Sequence, residues 1–385
     1  MIRERAKGIY EVTVDNGRDI NGKRIRIYRR IHGSKKEAKA LEAELRLQIK
    51  QGTYITNNGE TVKSYFDKWL KEYARPSLKP KSYESYNSIC QELISRLGHI
   101  KLNSLSSLML VGHYNYLRDR GNVQKYSLKQ NKRLTENTIL RHYRVINVAL
   151  KHAVDWNLLS YNPNGRVKAP KKLKVESKFY VLEQTKALLK ALDGEPIKYQ
   201  AIIRLALDTG CRRSELIGLE WSDINFSTGM VSITKTLQRI DKKLVDGTPK
   251  NNYSIRTVPI SDPTIEVLKE YQMYLASLKD LWGNKWKGTK KIFTSEDGDP
   301  IHPDVPRKIF ETILKKYNLP IITFHSLRHT SASLQISRGI SVADISRRLG
   351  HGDISTTLNV YSHAFNSGNE KIMKEFNNIF NTKTE

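Results

Sequence analysis

Thr209-Gly-Cys-Arg-Arg-Ser-Glu-Leu-Ile-Gly-Leu-Glu-Trp221 and His325-Ser-Leu-Arg-His-Thr330 are the densest runs of reactive side chains in the chain. The first sets Arg212 just behind a Thr-Gly turn, with Glu215 three residues further on. The second spaces His325 and Arg328 three residues apart, as His-x-x-Arg. Two shorter runs accompany them. Pro249-Lys250 precedes the apolar-alternating stretch Ser254-Ile-Arg-Thr-Val-Pro-Ile260. Leu349-Gly-His351 is followed ten residues past its histidine by Tyr361, in Asn359-Val-Tyr-Ser-His363.

Arg, Lys, His and Tyr in this company suit attack on a phosphodiester. Guanidinium groups bind phosphate oxygens through paired N–H donors and stay cationic at any working pH. Two arginines and two histidines around a phosphorus would neutralise charge as it develops in the transition state. A tyrosine hydroxyl is a weak nucleophile at its free pKa of about 10 and needs such a field. A lysine on a turn can protonate a leaving 5′ oxygen. Side chains supply all the positive charge, so no metal or other cofactor is called for. Each motif alone has a plainer reading: a polar helix start, a solvent-facing lysine, a chance His-x-x-Arg, a half-buried tyrosine. Their order and spacing together carry the functional reading.

The composition agrees. Among 385 residues, 66 Lys and Arg outnumber 39 Asp and Glu, for a net charge of +27. That balance favours a polyanionic partner, nucleic acid before an anionic membrane surface. Nineteen Tyr, nine Phe and five Trp argue against wholesale disorder. Cys90 and Cys211 cannot build a disulfide framework or a zinc site unaided. The charged start lacks the apolar core of a signal peptide, and no apolar run is long enough to span a membrane. The expectation is a soluble, cytoplasmic protein with no membrane partner. No P-loop, Gly-rich dinucleotide turn or His-Glu-x-x-His motif occurs.

Outward from the motifs, the chain falls into three parts. At the N-terminus, Gly8-Ile-Tyr-Glu-Val-Thr-Val14 and Lys23-Arg-Ile-Arg-Ile-Tyr-Arg-Arg30 alternate as strands, with turn dipeptides between them. Arg24, Arg26 and Tyr28 then lie on one face, either solvated or laid in a DNA groove. Ser34-Lys-Lys-Glu37 is a capping box opening a helix along Ala38, Leu41, Leu45 and Ile49, with Gly52 as its stop.

Residues 61–174 hold 22 basic against 7 acidic side chains, the most biased part of the chain. Helices are expected from Thr61, from Ser82, over 105–119 and from Thr135. The last buries Ile139, Tyr143, Ile146, Leu150, Ala153 and Val154, with Arg141, Arg144, Lys151 and His152 decorating the remainder. Asn162-Pro163 ends the bundle, and Lys168-Ala-Pro-Lys-Lys-Leu-Lys174 reads as a basic extended linker.

From 178 onward helix and strand mix. Helices are expected at 182–192, 199–207, 264–278, 304–317, 326–337, 342–349, 355–361 and 367–380. Met230-Val-Ser-Ile-Thr-Lys-Thr236 and Arg256-Thr-Val-Pro-Ile260 read as strands of a small antiparallel sheet.

The four motifs, in this order, resemble those of the tyrosine recombinase (phage integrase) family, most of all integrases of conjugative transposons and temperate phages. The resemblance implies that Arg212, Lys250, His325, Arg328 and His351 surround the scissile phosphate and that Tyr361 is the nucleophile. Lys250 is the least distinctive, because Lys235, Lys242 and Lys243 lie in the same region. The fold implied is multidomain and mainly α. A small three-stranded sheet plus helix over 1–58 resembles an arm-type DNA-binding domain. An all-α, SAM-like core-binding domain covers 59–168. A linker spans 169–177, and a mixed α+β catalytic domain with a small antiparallel sheet and a C-terminal helix covers 178–385.

The implied activity is site-specific recombination of double-stranded DNA for integration and excision of a mobile element. It runs through a 3′-phosphotyrosyl bond and a Holliday junction, independent of metal and ATP. The implied partners are core and arm attachment sites and a homo-tetramer on DNA, with room for an excisionase or a host DNA-bending protein. Candidate DNA contacts are Arg24, Arg26, Tyr28, Lys79, Lys81, Arg141, Arg144, Lys171, Lys172 and Lys174.

Several residues have plainer readings. Glu215 and Asp223 are structural, with Glu215 orienting Arg212. His329 packs within its helix, His363 is at most an indirect partner, and Cys211 is buried filler. The apolar stripe Ile372, Met373, Phe376, Ile379 and Phe380 docks in cis or on a neighbouring protomer. The competing functions are a type IB topoisomerase, a non-catalytic DNA-binding regulator of the same fold, and a metal-dependent nuclease.

Overall fold

The computed structural model of the chain describes residues 1–18, 21–51, 54, 59–120, 134–173, 178–249, 252–350, 352–355, 358 and 376. The chain divides into two compact units, residues 1–174 and 175–385.

The first unit opens with an antiparallel sheet of β1 (Ile2–Ala6), β2 (Ile9–Arg18) and β3 (Arg24–His32), in that order. β2 and β3 are the two alternating stretches of the sequence. β1 is short and charged, and it is held by pairing, with Ile2 opposite Val12. Val12 and Val14 bury against Ala38 and Leu45 of α1 (Lys35–Lys50). Ser34 caps that helix as a full box. Its Oγ accepts from the Glu37 N–H at 3.3 Å, and its own N–H donates to Glu37 Oε2 at 2.6 Å. The expected stop, Gly52, lies outside the described residues. Ile27 points inward, and Arg24, Arg26 and Tyr28 of the same strand remain exposed.

The helices that follow are α2 (Val62–Trp69), a π-helical turn (Leu70–Ala74), α3 (Arg75–Ser77), α4 (Pro80–Leu97), α5 (Ser107–Arg120) and α6 (Glu136–Asp155). Thr61 and Thr135 cap α2 and α6 through their hydroxyls. α4 begins at Pro80, two residues before the expected Ser82, because proline's fixed φ suits the first helical turn. Tyr65, Phe66 and Trp69 fill one core with Leu93, Leu110, Leu117, Ile139 and Ile146. The π turn keeps Leu70 and Ala74 on that buried side.

His152 does not decorate a surface as expected. Its Nδ1 accepts from Trp69 Nε1 at 2.8 Å, and its ring lies 4.1 Å from that of Tyr73. Asn162 caps a short 3-10 turn whose Asn164 is buried and accepts from Tyr114 Oη at 2.7 Å. From Lys168 to Leu173 the backbone is irregular and is fastened to α6. Leu173 exchanges two hydrogen bonds with the Asn137 side chain in the first turn of α6.

The second unit is built on α8 (Ile197–Thr209), preceded by α7 (Leu182–Leu192). Ala201, Ile202, Ile203, Leu205 and Ala206 are all buried, so α8 is apolar nearly all round and runs through the core. A short α9 (Arg213–Leu216) leads to an antiparallel sheet ordered β4 (Ile224–Asn225), β5 (Met230–Ile233), β8 (Arg256–Pro259). The run 230–236, expected as one strand, is split between two sheets. β5 ends at Ile233, and β6 (Thr236–Ile240) pairs with β7 (Lys243–Gly247) in a separate hairpin. Asp241 and Lys242 form its tip with φ of 47° and 66°, the tight turn that pairing Ile240 with Lys243 demands.

α10 (Asp262–Trp282), α11 (Val305–Lys316) and α12 (Ser326–Ser337) pack on α8, and α13 (Val342–Leu349) packs on α12 and β8. The helices expected at 355–361 and 367–380 lie almost wholly outside the described residues. No helix among the described residues is long and apolar enough to cross a membrane.

Candidate active site

The site starts where α8 stops. Thr209 turns its hydroxyl back to the Leu205 carbonyl at 2.6 Å, and Gly210 takes a left-handed φ of 61°. A side chain at that glycine would meet Leu349 at 2.7 Å, so glycine is required twice over. The chain then swings out to Arg212, in extended conformation ahead of α9.

Glu215 fastens Arg212 from both ends. Its Oε2 accepts the Arg212 backbone N–H at 2.9 Å, and its Oε1 takes the guanidinium Nη1 at 2.6 Å. The carboxylate is 1% exposed. Burial pushes its pKa up, but the Arg256 and Arg212 charges and the Arg212 N–H outweigh that and leave it below the usual range. The sequence reading of Glu215 as the residue that orients Arg212 agrees with these bonds. Arg212 also reaches Ser254 Oγ at 3.4 Å and the Gly350 carbonyl at 3.5 Å.

Arg328 lies on the first turn of α12 with its side chain buried. Its Nη1 donates to the Gly210 carbonyl at 2.8 Å, which joins the His-x-x-Arg run to the Thr-Gly-x-Arg run. His325 sits one turn earlier with exposed surface at the helix start. Partial desolvation of its ring, then the charges of Arg328 and Arg212, hold its pKa below the ordinary value. The imidazole is therefore neutral near pH 7. His329 packs edge-on to it, ring centres 5.1 Å apart, and is pushed down to about 4 by burial and by its two neighbours. That is the packing role expected of it.

α13 ends at Gly350, with φ of 70°. A Cβ there would lie 3.0 Å from the Tyr253 carbonyl and 3.1 Å from Arg256 Nη1. The Leu-Gly-His run thus presses its glycine onto the entry to β8.

Arg212, His325 and Arg328 are brought together. Lys250, His351, Tyr361, His363 and, of the candidate DNA contacts, Lys174 lie outside the described residues. Of the other lysines near Lys250, Lys235 pairs with Glu220 at 2.6 Å, and Lys242 and Lys243 sit at the β6–β7 tip. Cys211 is buried and its thiol is pushed up to about 11 by burial. Asp223 accepts the Glu220 N–H at 2.9 Å and is structural. Lys79, Lys81, Arg141, Arg144, Lys171 and Lys172 are exposed, Lys81 in an ion pair with Glu84. Sequence reasoning passed over Arg256, whose signal was its parity. It shares the face of Val258 and Ile260, which is buried.

Comparison with known proteins decides the family. Residues 178–367 match the phage integrase family, residues 61–168 its SAM-like domain, and residues 1–49 an arm DNA-binding domain. A protein of Caldanaerobacter subterraneus subsp. tengcongensis named as a tyrosine recombinase XerC-like is 30% identical, over 98% of each chain. The chain belongs to the tyrosine recombinase (phage integrase) family.

The ICEBs1 integrase of Bacillus subtilis is 26% identical over 94% of this chain and 95% of its own. In fold, the Tn1549 transposon integrase in complex with circular intermediate DNA superposes with a TM-score of 0.65 at 19% identity, over 82% of this chain and 99% of that one. The lambda integrase dimer on a core site gives 0.58 at 19% identity, over 93% of each. As a family member this protein is a site-specific DNA recombinase, an enzyme that cleaves and rejoins DNA strands.

Proposed function

We propose that this recombinase integrates and excises a mobile element, with Arg212, Lys250, His325, Arg328, His351 and Tyr361 as its catalytic set. Residues 1–58 hold arm sites, 59–168 hold core sites, 169–177 link, and 178–385 carry the chemistry, on a tetramer assembled in the cytoplasm on DNA. The observation that carries this reading is the joint placement of Arg212 and Arg328 around His325.

The reaction follows from those groups. The guanidiniums of Arg212 and Arg328 receive the two non-bridging oxygens of the scissile phosphate. The Tyr361 oxygen attacks phosphorus, and its proton passes to neutral His325. The bond from phosphorus to the 5′ oxygen breaks, and Lys250 gives that oxygen a proton. His351 donates a hydrogen bond to the phosphoryl group as charge builds. The 3′ phosphate stays on the tyrosine with its bond energy, so a 5′ hydroxyl of the partner strand can attack and reverse the chemistry through a Holliday junction.

A covalent-adduct assay tests this. Wild type and Tyr361→Phe are mixed, in EDTA, with nicked duplexes tiled from the DNA flanking the gene. A denaturation-resistant protein–DNA band from wild type alone supports the reading. Binding by both without a band removes it in favour of a DNA-binding regulator.

A further inference from the structure

Arg256 opens β8, and although it lies in a strand beside solvent its side chain is only 5% exposed. Every nitrogen of its guanidinium is engaged. Nε donates to the Arg348 carbonyl at 2.6 Å, Nη1 to the Ser254 carbonyl at 2.9 Å, and Nη2 to Glu215 Oε2 at 3.1 Å. These acceptors belong to three separate pieces of chain: the end of α13, the entry to β8, and α9. Each piece carries one of the motifs: Leu349-Gly-His351, the strand after Pro249-Lys250, and Thr209 to Trp221.

The electrostatics give this junction a purpose beyond holding the fold. Glu215 is buried and must be neutralised. With Arg212 alone against it, one carboxylate would cancel one guanidinium, and a phosphate would meet a neutral pair. With Arg256 on the second oxygen, the three groups together carry one positive charge. That charge sits on the Arg212 side, because Arg256 is walled in. Arg256 also stands 3.1 Å from where a Gly350 Cβ would be, so it sets how closely the Leu349-Gly350 turn approaches.

We propose that Arg256 is a positioning residue for strand cleavage: it neutralises and locks Glu215 so that Arg212 keeps its charge and pose for the phosphate, and it pins the turn leading to His351. This rests on the catalytic assignment of Arg212 made above. Lysine cannot substitute, because one ammonium on a flexible stem does not span acceptors on three segments in a fixed fork.

The test is single-turnover adduct formation by the full-length protein on the nicked flanking duplexes, beside gel-shift binding of the same duplexes. The proteins are wild type, Arg256→Met, Arg256→Lys, Arg212→Lys, and Arg256→Met combined with Arg212→Lys. Arg256→Met is expected to bind as wild type does and to form adduct about 10²-fold more slowly, the loss typical of one misplaced transition-state donor. Added to Arg212→Lys, it should cost less than about fivefold, because both act through one guanidinium.

A wild-type rate in Arg256→Met overturns the proposal. So does a full additional loss on the Arg212→Lys background, which would mark a merely structural role. If Arg256→Met does not fold, Arg256→Lys decides: a rate reduced at least about tenfold supports the proposal, and a full rate overturns it. No adduct from wild type overturns the recombinase chemistry itself and this role with it, an outcome distinct from a failure of Arg256 alone.

Discussion

Arg328 Nη1 donates to the Gly210 carbonyl at 2.8 Å across 118 residues of sequence. The bond runs from the first turn of α12 to the left-handed turn that closes α8, so one arginine of the proposed catalytic set is indexed on the backbone that launches the other. It explains why the Thr-Gly turn and the His-x-x-Arg run must be in register. A shift of either moves the two guanidiniums relative to one another.

Arg328→Lys keeps the charge and loses the fork. Adduct formation on nicked duplexes is expected to fall roughly 10²–10³-fold, as for the loss of one preorganised donor. Duplex binding in gel shifts should be nearly unchanged. A rate close to wild type would remove Arg328 from the catalytic set.

Gly350→Ala tests the close approach of the Leu-Gly-His run to the entry of β8. Alanine at a φ of 70° is strained, and its Cβ would stand 3.0 Å from the Tyr253 carbonyl, a backbone atom with little room to retreat. The expected result is a loss of about 1–3 kcal/mol in stability and a larger loss of cleavage, because the turn into His351 is displaced. Thermal unfolding and the adduct assay read the two effects separately. Unchanged cleavage would show that the close approach is incidental.

Most of this architecture was legible because the local rules agreed with one another. Ser34, Thr61 and Thr135 cap the helices they precede, and the spacing of Val62, Tyr65, Phe66 and Trp69 marks a buried stripe. What escaped was tertiary. The stretch 230–236 alternates without a break, and only packing of β6 beside α9 divides it between two sheets. His152 carries the spacing of a surface residue, yet three aromatic rings and the Trp69 N–H enclose it. Lys291, 5% exposed between Glu220 and Asp246, has no local signature, since its partners come from other parts of the chain. Arg256 had one in the parity of its strand. An arginine in phase with Val258 and Ile260 is a buried arginine, and a buried arginine needs a carboxylate.

The exposed cations of α6 predict a salt effect. Arg141, Arg144 and Lys151 fall within one narrow stripe of that helix, opposite the buried Ile139 and Ile146. If they meet phosphates, Arg141→Ala and Arg144→Ala should each weaken binding of all sequences alike and reduce the slope of log K against log salt by about 1. Titrations at several salt concentrations check this. An unchanged slope in the double variant would place the DNA elsewhere.

His113 of α5 and His142 of α6 make the helical part acid-sensitive. The two rings are both buried, 6.5 Å apart. Burial, then His142 and Arg96, push His113 down to about 3, and burial, then Arg141, push His142 down to about 4. Both are neutral when folded and regain an ordinary pKa of about 6.5 when unfolded. Below that value the unfolded chain binds more protons than the folded one, so their contribution is intact above pH 6.5 and declines as the pH falls toward 4. Each can cost at most about 1.4 kcal/mol per pH unit in that window. Hydrogen exchange of peptides from 107–120 and 136–155 should therefore gain protection from pH 5 to pH 7, after correction for intrinsic rates. His113→Leu with His142→Leu should flatten that gain. An equal gain in the double variant would assign the acid sensitivity to carboxylates instead.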